Sequence, residues 1–163
     1  MLGMRKDRAR DVARQVYASG VAHYLFNCVN RDPAKWSEAR ERAAALLGVR
    51  MWGVDADEPH RDALAAGDLA LIYLGTPEQV FIGRTELASA VHAWTPSEAH
   101  LYPGAAPAGV SLAEVEQWNL AVPMENVLER INPSAKNQAD FPVGVVRITA
   151  NEYETTLDLA ASP

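Results

Sequence analysis

The chain has 163 residues, 48% of them apolar and 22% charged, which is the make-up of one globular domain and not of a disordered chain. Its 21 acidic side chains outnumber 15 basic ones for a net charge of −6, which opposes a sequence-independent grip on long nucleic acid though not a pocket for one base. No stretch approaches the ~20 apolar residues of a membrane span, the charged opening to Arg14 lacks the apolar centre of a signal peptide, and the lone Cys28 rules out an intramolecular disulfide or a site of several thiolates; a reducing, cytoplasmic setting is expected.

Residues 4–19 read as a helix, with Ala9, Val12, Ala13, Val16 and Tyr17 on one face and Gly20 at its end. This helix is set apart as an extension over 1–21, ahead of a single domain over 22–163. His23 to Val29 follows as a strand rich in aromatic and β-branched residues. Asp32-Pro33 marks the next start, and Trp36, Ala39, Ala43, Leu46 and Leu47 form a helical stripe with Gly48 just past its end. Val49 to Trp52 is a short apolar piece leading into the polar run from Asp55 to Asp62, and a brief helix over 61–66 stops at Gly67.

Leu69 to Leu74 is a strand of the buried type, Gly75-Thr76-Pro77-Glu78 a turn, and Val80 to Trp94 a long strand antiparallel to the first. Thr95 to Gly109, with Pro96, Pro103, Gly104 and Pro107, reads as a long loop of the kind that forms lids and binding edges. Two readings stand over 110–118. Ser111-Leu112-Ala113-Glu114 fits a capping box, while Val110, Leu112, Val115 and Trp118 suit a strand. Pro123 opens a helix with Met124, Val127, Leu128 and Ile131 on one face. Residues 132–140 form a loop, Val143 to Ile148 a strand, and Thr149 with Glu152 caps a last helix bearing Tyr153 and Leu157. No βαβ repeat appears, so the expected class is α+β: a curled sheet or pseudo-barrel with helices packed outside.

The motifs of nucleophile elbows, P-loops, dinucleotide folds, zincins and C-x-x-C sites are absent, and no catalytic residue, metal or cofactor is assigned. Twelve arginines stand against three lysines, in clusters at Arg5, Arg8, Arg10 and Arg14 and at Arg40, Arg42, Arg50 and Arg61. These are solvated helix faces or phosphate contacts, for which arginine's planar fork is suited. Asp55, Asp57, Glu58, His60 and Asp62 have the composition of a divalent-metal loop and equally of a solvated loop before a helix. Cys28 reads as a small core residue. Of the four tryptophans, Trp36 and Trp118 sit among apolar neighbours and read as core. Trp52 and Trp94 lie at strand-to-loop junctions and Tyr102 within the long loop, where an aromatic is either a plug or a platform. Two such faces sandwich a nucleobase, with stacking worth ~1–3 kcal/mol per base. Asn27 and Asn30 stand where polar groups would read the base edge.

Gly48-Val49-Arg50-Met51-Trp52, Gly67-Asp68 before the strand ending in Tyr73, and Phe81-Ile82-Gly83-Arg84-Thr85-Glu86-Leu87, opened by Tyr24-Leu25-Phe26-Asn27, resemble in order and spacing the core of the EVE family over roughly residues 22–158. The same order is similar to the YTH readers of methylated adenine, in which a tryptophan follows a valine at the place of Trp52. The resemblance implies a PUA-like fold with a pocket for a modified base of DNA or RNA. Trp52 would be one cage wall and Trp94 or Tyr102 another, with Asn27, Cys28, Val29 and Asn30 offering edge contacts and Arg50, Gly53 and Phe81 completing the pocket. The chain departs from the family in having Met51 and the acidic run after G-V-R, where many members carry asparagine and a further arginine–asparagine pair.

The reading taken forward is therefore a non-catalytic reader of a modified base, for instance methylated or hydroxymethylated cytosine, with Trp52 as a ligand platform and Trp118 as core. An ASCH-like enzyme acting on a small modified nucleoside is the alternative. Its base and nucleophile are not evident, since Lys35 and Lys136 both fall in loops. A small-ligand or protein-interaction module is a third possibility. Oligomeric state is open.

Overall fold

The computed structural model describes residues 20–29, 32–132 and 140–161. The expected helix over 4–19, Asn30, the side chain of Trp36 and most of the 132–140 loop lie outside these residues.

Strand β1, His23–Asn27, is buried along almost its whole length. It runs parallel to β3, Leu69–Leu74, and antiparallel to β7, Gly144–Ile148. Parallel neighbours require a crossover. Here it holds a 3-10 turn Pro33–Glu38, helix α1 Ala39–Val49, the short strand β2 Met51–Gly53 and one 3-10 turn Arg61–Ala63. Strand β4, Val80–Leu87, returns antiparallel to β3. The two-residue β5, His92–Ala93, helix α2 Pro96–Leu101 and the long β6 Ala108–Pro123 follow, then α3 Met124–Ile131, β7 and α4 Ala150–Ala161. The order is β2-β6-β4-β3-β1-β7, with β5 also paired to β6, in one curled, half-barrel sheet of seven strands. The α+β class and the β3–β4 hairpin expected from the sequence are both present.

Alternation along the central strands builds a core on each face. Tyr24, Phe26, Ala70, Ile72 and Leu74 join Ala39, Ala43, Leu46 and Leu47 of α1. Leu25, Leu71 and Tyr73 face the other way, against Val127 and Leu128 of α3 and Tyr153 of α4.

Several boundaries differ from the sequence reading. The strand expected from Val80 to Trp94 breaks after Leu87, and residues 88–91 arch out before β5 resumes pairing with β6. The stretch 110–118 is strand, because Val110 and Ser111 pair with β2 and the residues from Leu112 to Gln117 pair with β4. The Thr95–Gly109 loop contains α2, whose start carries a full capping box between Thr95 and Glu98 with Pro96 at its first position. Helix α1 runs through Gly48 to Val49 and ends on Arg50, which takes left-handed φ 58° and donates its N–H to the Leu46 and Leu47 carbonyls. The helix expected over 61–66 is only the turn Arg61–Ala63.

Gly83 meets the expectation of close approach. The β4–β6 register slips between Phe81 and Gly83, and a Cβ on Gly83 would press into the Glu116 carbonyl oxygen. No described helix is long and apolar enough to cross a membrane.

Candidate ligand groove

The aromatic residues singled out in the sequence fall into two groups. Trp52 is 6% exposed and stacks on Phe26, with ring centroids 5.5 Å apart at 29°. It belongs to the core beneath α1, so it offers a ligand no open face in this state. Its strand neighbour Gly53 points to the opposite face, where Gly53 and Gly109 pair across β2 and β6. The space above these two glycines is taken by Trp94 and Tyr102: a Cβ on Gly53 would meet Tyr102 Oη and one on Gly109 would lie 2.7 Å from Trp94 Cη2. The Trp94 and Tyr102 rings are 5.0 Å apart at 36°. Trp94 donates Nε1–H to the Ala106 carbonyl at 2.9 Å. Burial pushes the Tyr102 phenol up.

Tyr102 then reaches past the β2 edge toward α1. There it forms, with Pro103 and Gly104, one wall of an open groove of about 370 Å³ whose other wall is Glu38, Glu41, Arg42, Ala45 and Leu46. That volume lies in the range of small-molecule clefts. One wall is a partly exposed ring; the other presents two carboxylates and a guanidinium. Arg42 is anchored because its Nη2 donates to the Cys28 carbonyl.

The remaining expected site residues lie elsewhere or are engaged. Phe81 is on the other face of the sheet, in the second core with Tyr73 and Phe141. Asn27 is 5% exposed and donates to the Phe141 and Pro142 carbonyls at 3.2 and 3.1 Å, while its oxygen accepts the Val29 N–H. Beside it Asp140 accepts from the Tyr73 hydroxyl and from Thr76 N–H and Oγ1, each at 2.6 Å. These hydrogen bonds lower the Asp140 carboxyl against its desolvation. Val29 is buried, and burial pushes the Cys28 thiol up to about 12, which leaves it unreactive near neutral pH. Arg50 turns away from the groove and donates to the Ala113 carbonyl at 2.6 Å.

In the cluster of Arg40, Arg42, Arg50 and Arg61, the last three therefore tie backbone together. Arg61 donates to the Val54 and Asp55 carbonyls and Arg40 pairs with Glu78. In the acidic run, Glu58 turns inward, 9% exposed, and accepts the Val145 N–H at 2.9 Å. Among the described residues no three His, Cys, Asp or Glu side chains converge as a metal site would require.

Sequence reasoning missed Glu38, Glu41 and Arg42 as groove residues, and also a polar row at the foot of α2. His92 Nε2 lies 3.1 Å from Glu98 Oε1, and its Nδ1 lies 3.4 Å from Ser89 Oγ and 3.2 Å from the Ala90 carbonyl. Ser89 Oγ already accepts the Ser111 N–H at 2.9 Å. The Ala90 carbonyl and Glu98 raise the imidazole's affinity for a proton. The row fastens the start of α2 to the sheet beside Trp94, whose ring meets His92 edge-on at 5.4 Å.

No family model matches the chain and no curated protein does. Solved structures do. An Agrobacterium tumefaciens structural-genomics protein is 17% identical, with 88% of this chain and 97% of that one covered at a TM-score of 0.55. ASCH from Zymomonas mobilis is 12% identical, with 85% and 95% covered at 0.51. The YTH domain-containing protein mmi1, solved in a complex with RNA, is 12% identical, with 86% and 80% covered at 0.51. At such identities the likeness is one of fold: the curled half-barrel with outer helices is the PUA-like architecture shared with ASCH and YTH domains.

Proposed function

We propose that the protein is an EVE-type reader that binds one modified nucleobase of DNA or RNA in the groove between α1 and Tyr102, without catalysis. The observation that carries the reading is the partly exposed Tyr102 ring, backed by Trp94 and set opposite Arg42 across a groove of base-sized volume. A base stacking on that ring would gain ~1–3 kcal/mol. Glu38, Glu41 and the remaining N–H groups of Arg42 would read its edge. Trp52 and Phe26 form the floor of packed rings beneath α1, through which Leu46 is held in the groove wall. The RNA complex of the YTH neighbour supports a nucleic-acid partner for this architecture. With net charge −6, contacts to phosphate would be few and the salt dependence of binding shallow.

A panel of short single strands tests this: DNA with cytosine, 5-methylcytosine or 5-hydroxymethylcytosine, and RNA with adenine or N6-methyladenine. Preference of at least about tenfold for one modified strand over its unmodified partner is expected, and equal weak binding to all would overturn the reading. The second reading, an ASCH-like enzyme on a modified nucleoside, rests on the Ser89–His92–Glu98 row. Nucleosides that emerge chemically changed from incubation with the protein would favour it.

A further inference from the structure

Two glycines face each other where the aromatic wall of the groove is seated. Gly53 of β2 and Gly109 of β6 are register partners, so their missing side chains leave one notch on the same face of the sheet. Tyr102 Oη and Ala106 Cβ fill it at Gly53, the latter 2.8 Å from where a Cβ would stand, and Tyr102 Cζ lies at 3.0 Å. At Gly109 the occupants are the Trp52 carbonyl oxygen and Trp94 Cη2, the latter at 2.7 Å. Neither glycine has the left-handed φ of Gly67 and Gly144. Backbone conformation therefore does not demand glycine here; space does. A third glycine, Gly104, sits where a Cβ would be 2.8 Å from Tyr102 Cε2, closing the ring in from the loop side.

We propose that Gly53 and Gly109 are positioning residues for ligand binding: their notch fixes the tilt and depth of the Trp94–Tyr102 pair and so the orientation of the groove's stacking wall. This rests on the reading of the groove as a base site. At Gly53 the obstruction is side-chain atoms only, with the tip of the Tyr102 ring nearest and Ala106 Cβ next at 2.8 Å, whereas at Gly109 it includes the backbone of β2. Gly53 is therefore the site at which the seat can be changed without dismantling the sheet. The partner change is Tyr102→Phe, which removes the oxygen standing where an alanine Cβ would go.

The test is a cycle of wild type, Gly53→Ala, Tyr102→Phe and the double variant. It is read by near-ultraviolet circular dichroism, by thermal melting, and by affinity for single-stranded DNA carrying one 5-hydroxymethylcytosine and RNA carrying one N6-methyladenine. Gly53→Ala is expected to weaken binding about tenfold or more, the range for losing one base stack, and to alter the aromatic dichroism. In the Tyr102→Phe background the same replacement should cost no more than about twofold, a non-additivity expected of residues in contact. Equal losses in both backgrounds, or unchanged affinity and dichroism in Gly53→Ala, would overturn the proposal. So would failure of both Gly53→Ala and the double variant to fold, since the obstruction would then be Ala106 and not the ring. If wild type binds neither strand, the base-site reading falls, and the seat is judged on dichroism and melting alone, where rescue by Tyr102→Phe supports it and no rescue refutes it.

Discussion

Replacing Trp52 by alanine would strike the core under α1. The side chain is 6% exposed, stacks on Phe26 at 5.5 Å, and shares its cluster with Leu46, Val54, Val110 and Leu112. Truncating a buried tryptophan costs ~3–5 kcal/mol through lost transfer energy and the cavity left behind, and the ring pair accounts for about 0.5–1.5 of that. For a chain of this size each kcal/mol lowers the melting midpoint by roughly 2–4 °C, so a fall of about 6–20 °C is expected. The loss would leave a domain of ordinary stability, ~5–15 kcal/mol, folded but marginal. Trp118 is the comparison. It is half-buried at the margin of the second core, with its Nε1–H directed at the Glu116 carboxylate, and its alanine variant should lose less. Urea and thermal unfolding of both variants measure this. A Trp52→Ala protein destabilised by less than about 1 kcal/mol, or by less than Trp118→Ala, would refute the reasoning and restore Trp52 as an open platform.

Gly83→Ala would force a methyl into the Glu116 carbonyl and should lower stability by ~1–3 kcal/mol, as overpacking does; a variant that melts like wild type would show that the β4–β6 slip can relax. Glu58→Ala removes the acceptor of the buried Val145 N–H and should cost ~1–3 kcal/mol in urea unfolding, whereas a purely solvated acid would cost almost nothing. The His92–Glu98 pair gives a pH signature. The imidazole is raised above its ordinary 6.5, chiefly by the Ala90 carbonyl and then by Glu98, so its contribution is full below 6.5 and is lost as pH rises through the folded value. Glu98 is lowered below 4.5, chiefly by the Thr95 N–H, so its contribution is present above 4.5 and is lost as pH falls through the folded value. The melting advantage of wild type over His92→Gln should therefore be greatest between about 4.5 and 6.5 and fade toward alkaline pH. A constant difference, or a His92 NMR titration below 6.5, would contradict the pairing.

The hairpin of β3 and β4 was legible because two apolar runs flank a turn made of Gly75, Pro77 and Glu78. The β6 strand was not, since Glu114, Glu116, Gln117 and Asn119 are exposed and interrupt the apolar alternation while Ser111 and Glu114 imitate a helix start. Helix α2 was hidden by the surrounding prolines and glycines, although Thr95, Pro96 and Glu98 spelled its beginning. Trp94 and Tyr102, each marked in the sequence for its place beside or within the long loop, lie together in the fold. The burial of Trp52 was not, because only its pairing next to Gly53 tells which face of β2 it takes. The groove itself joins α1 to a loop some sixty residues away, and the partners of Arg42 and Arg50 are likewise long-range. Contacts of that kind carry no local pattern for a sequence to reveal.

The most direct test of the base-binding groove is an NMR titration of isotopically labelled protein with the tightest-binding modified strand of the panel, repeated on Tyr102→Ala. Shifts concentrated on Tyr102, Gly104, Arg42, Ala45 and Leu46, with affinity about tenfold to a hundredfold weaker in the still-folded Tyr102→Ala protein, are the expected result. Shifts centred instead on Asn27, Thr76 and Asp140, or an affinity indifferent to Tyr102, would contradict it.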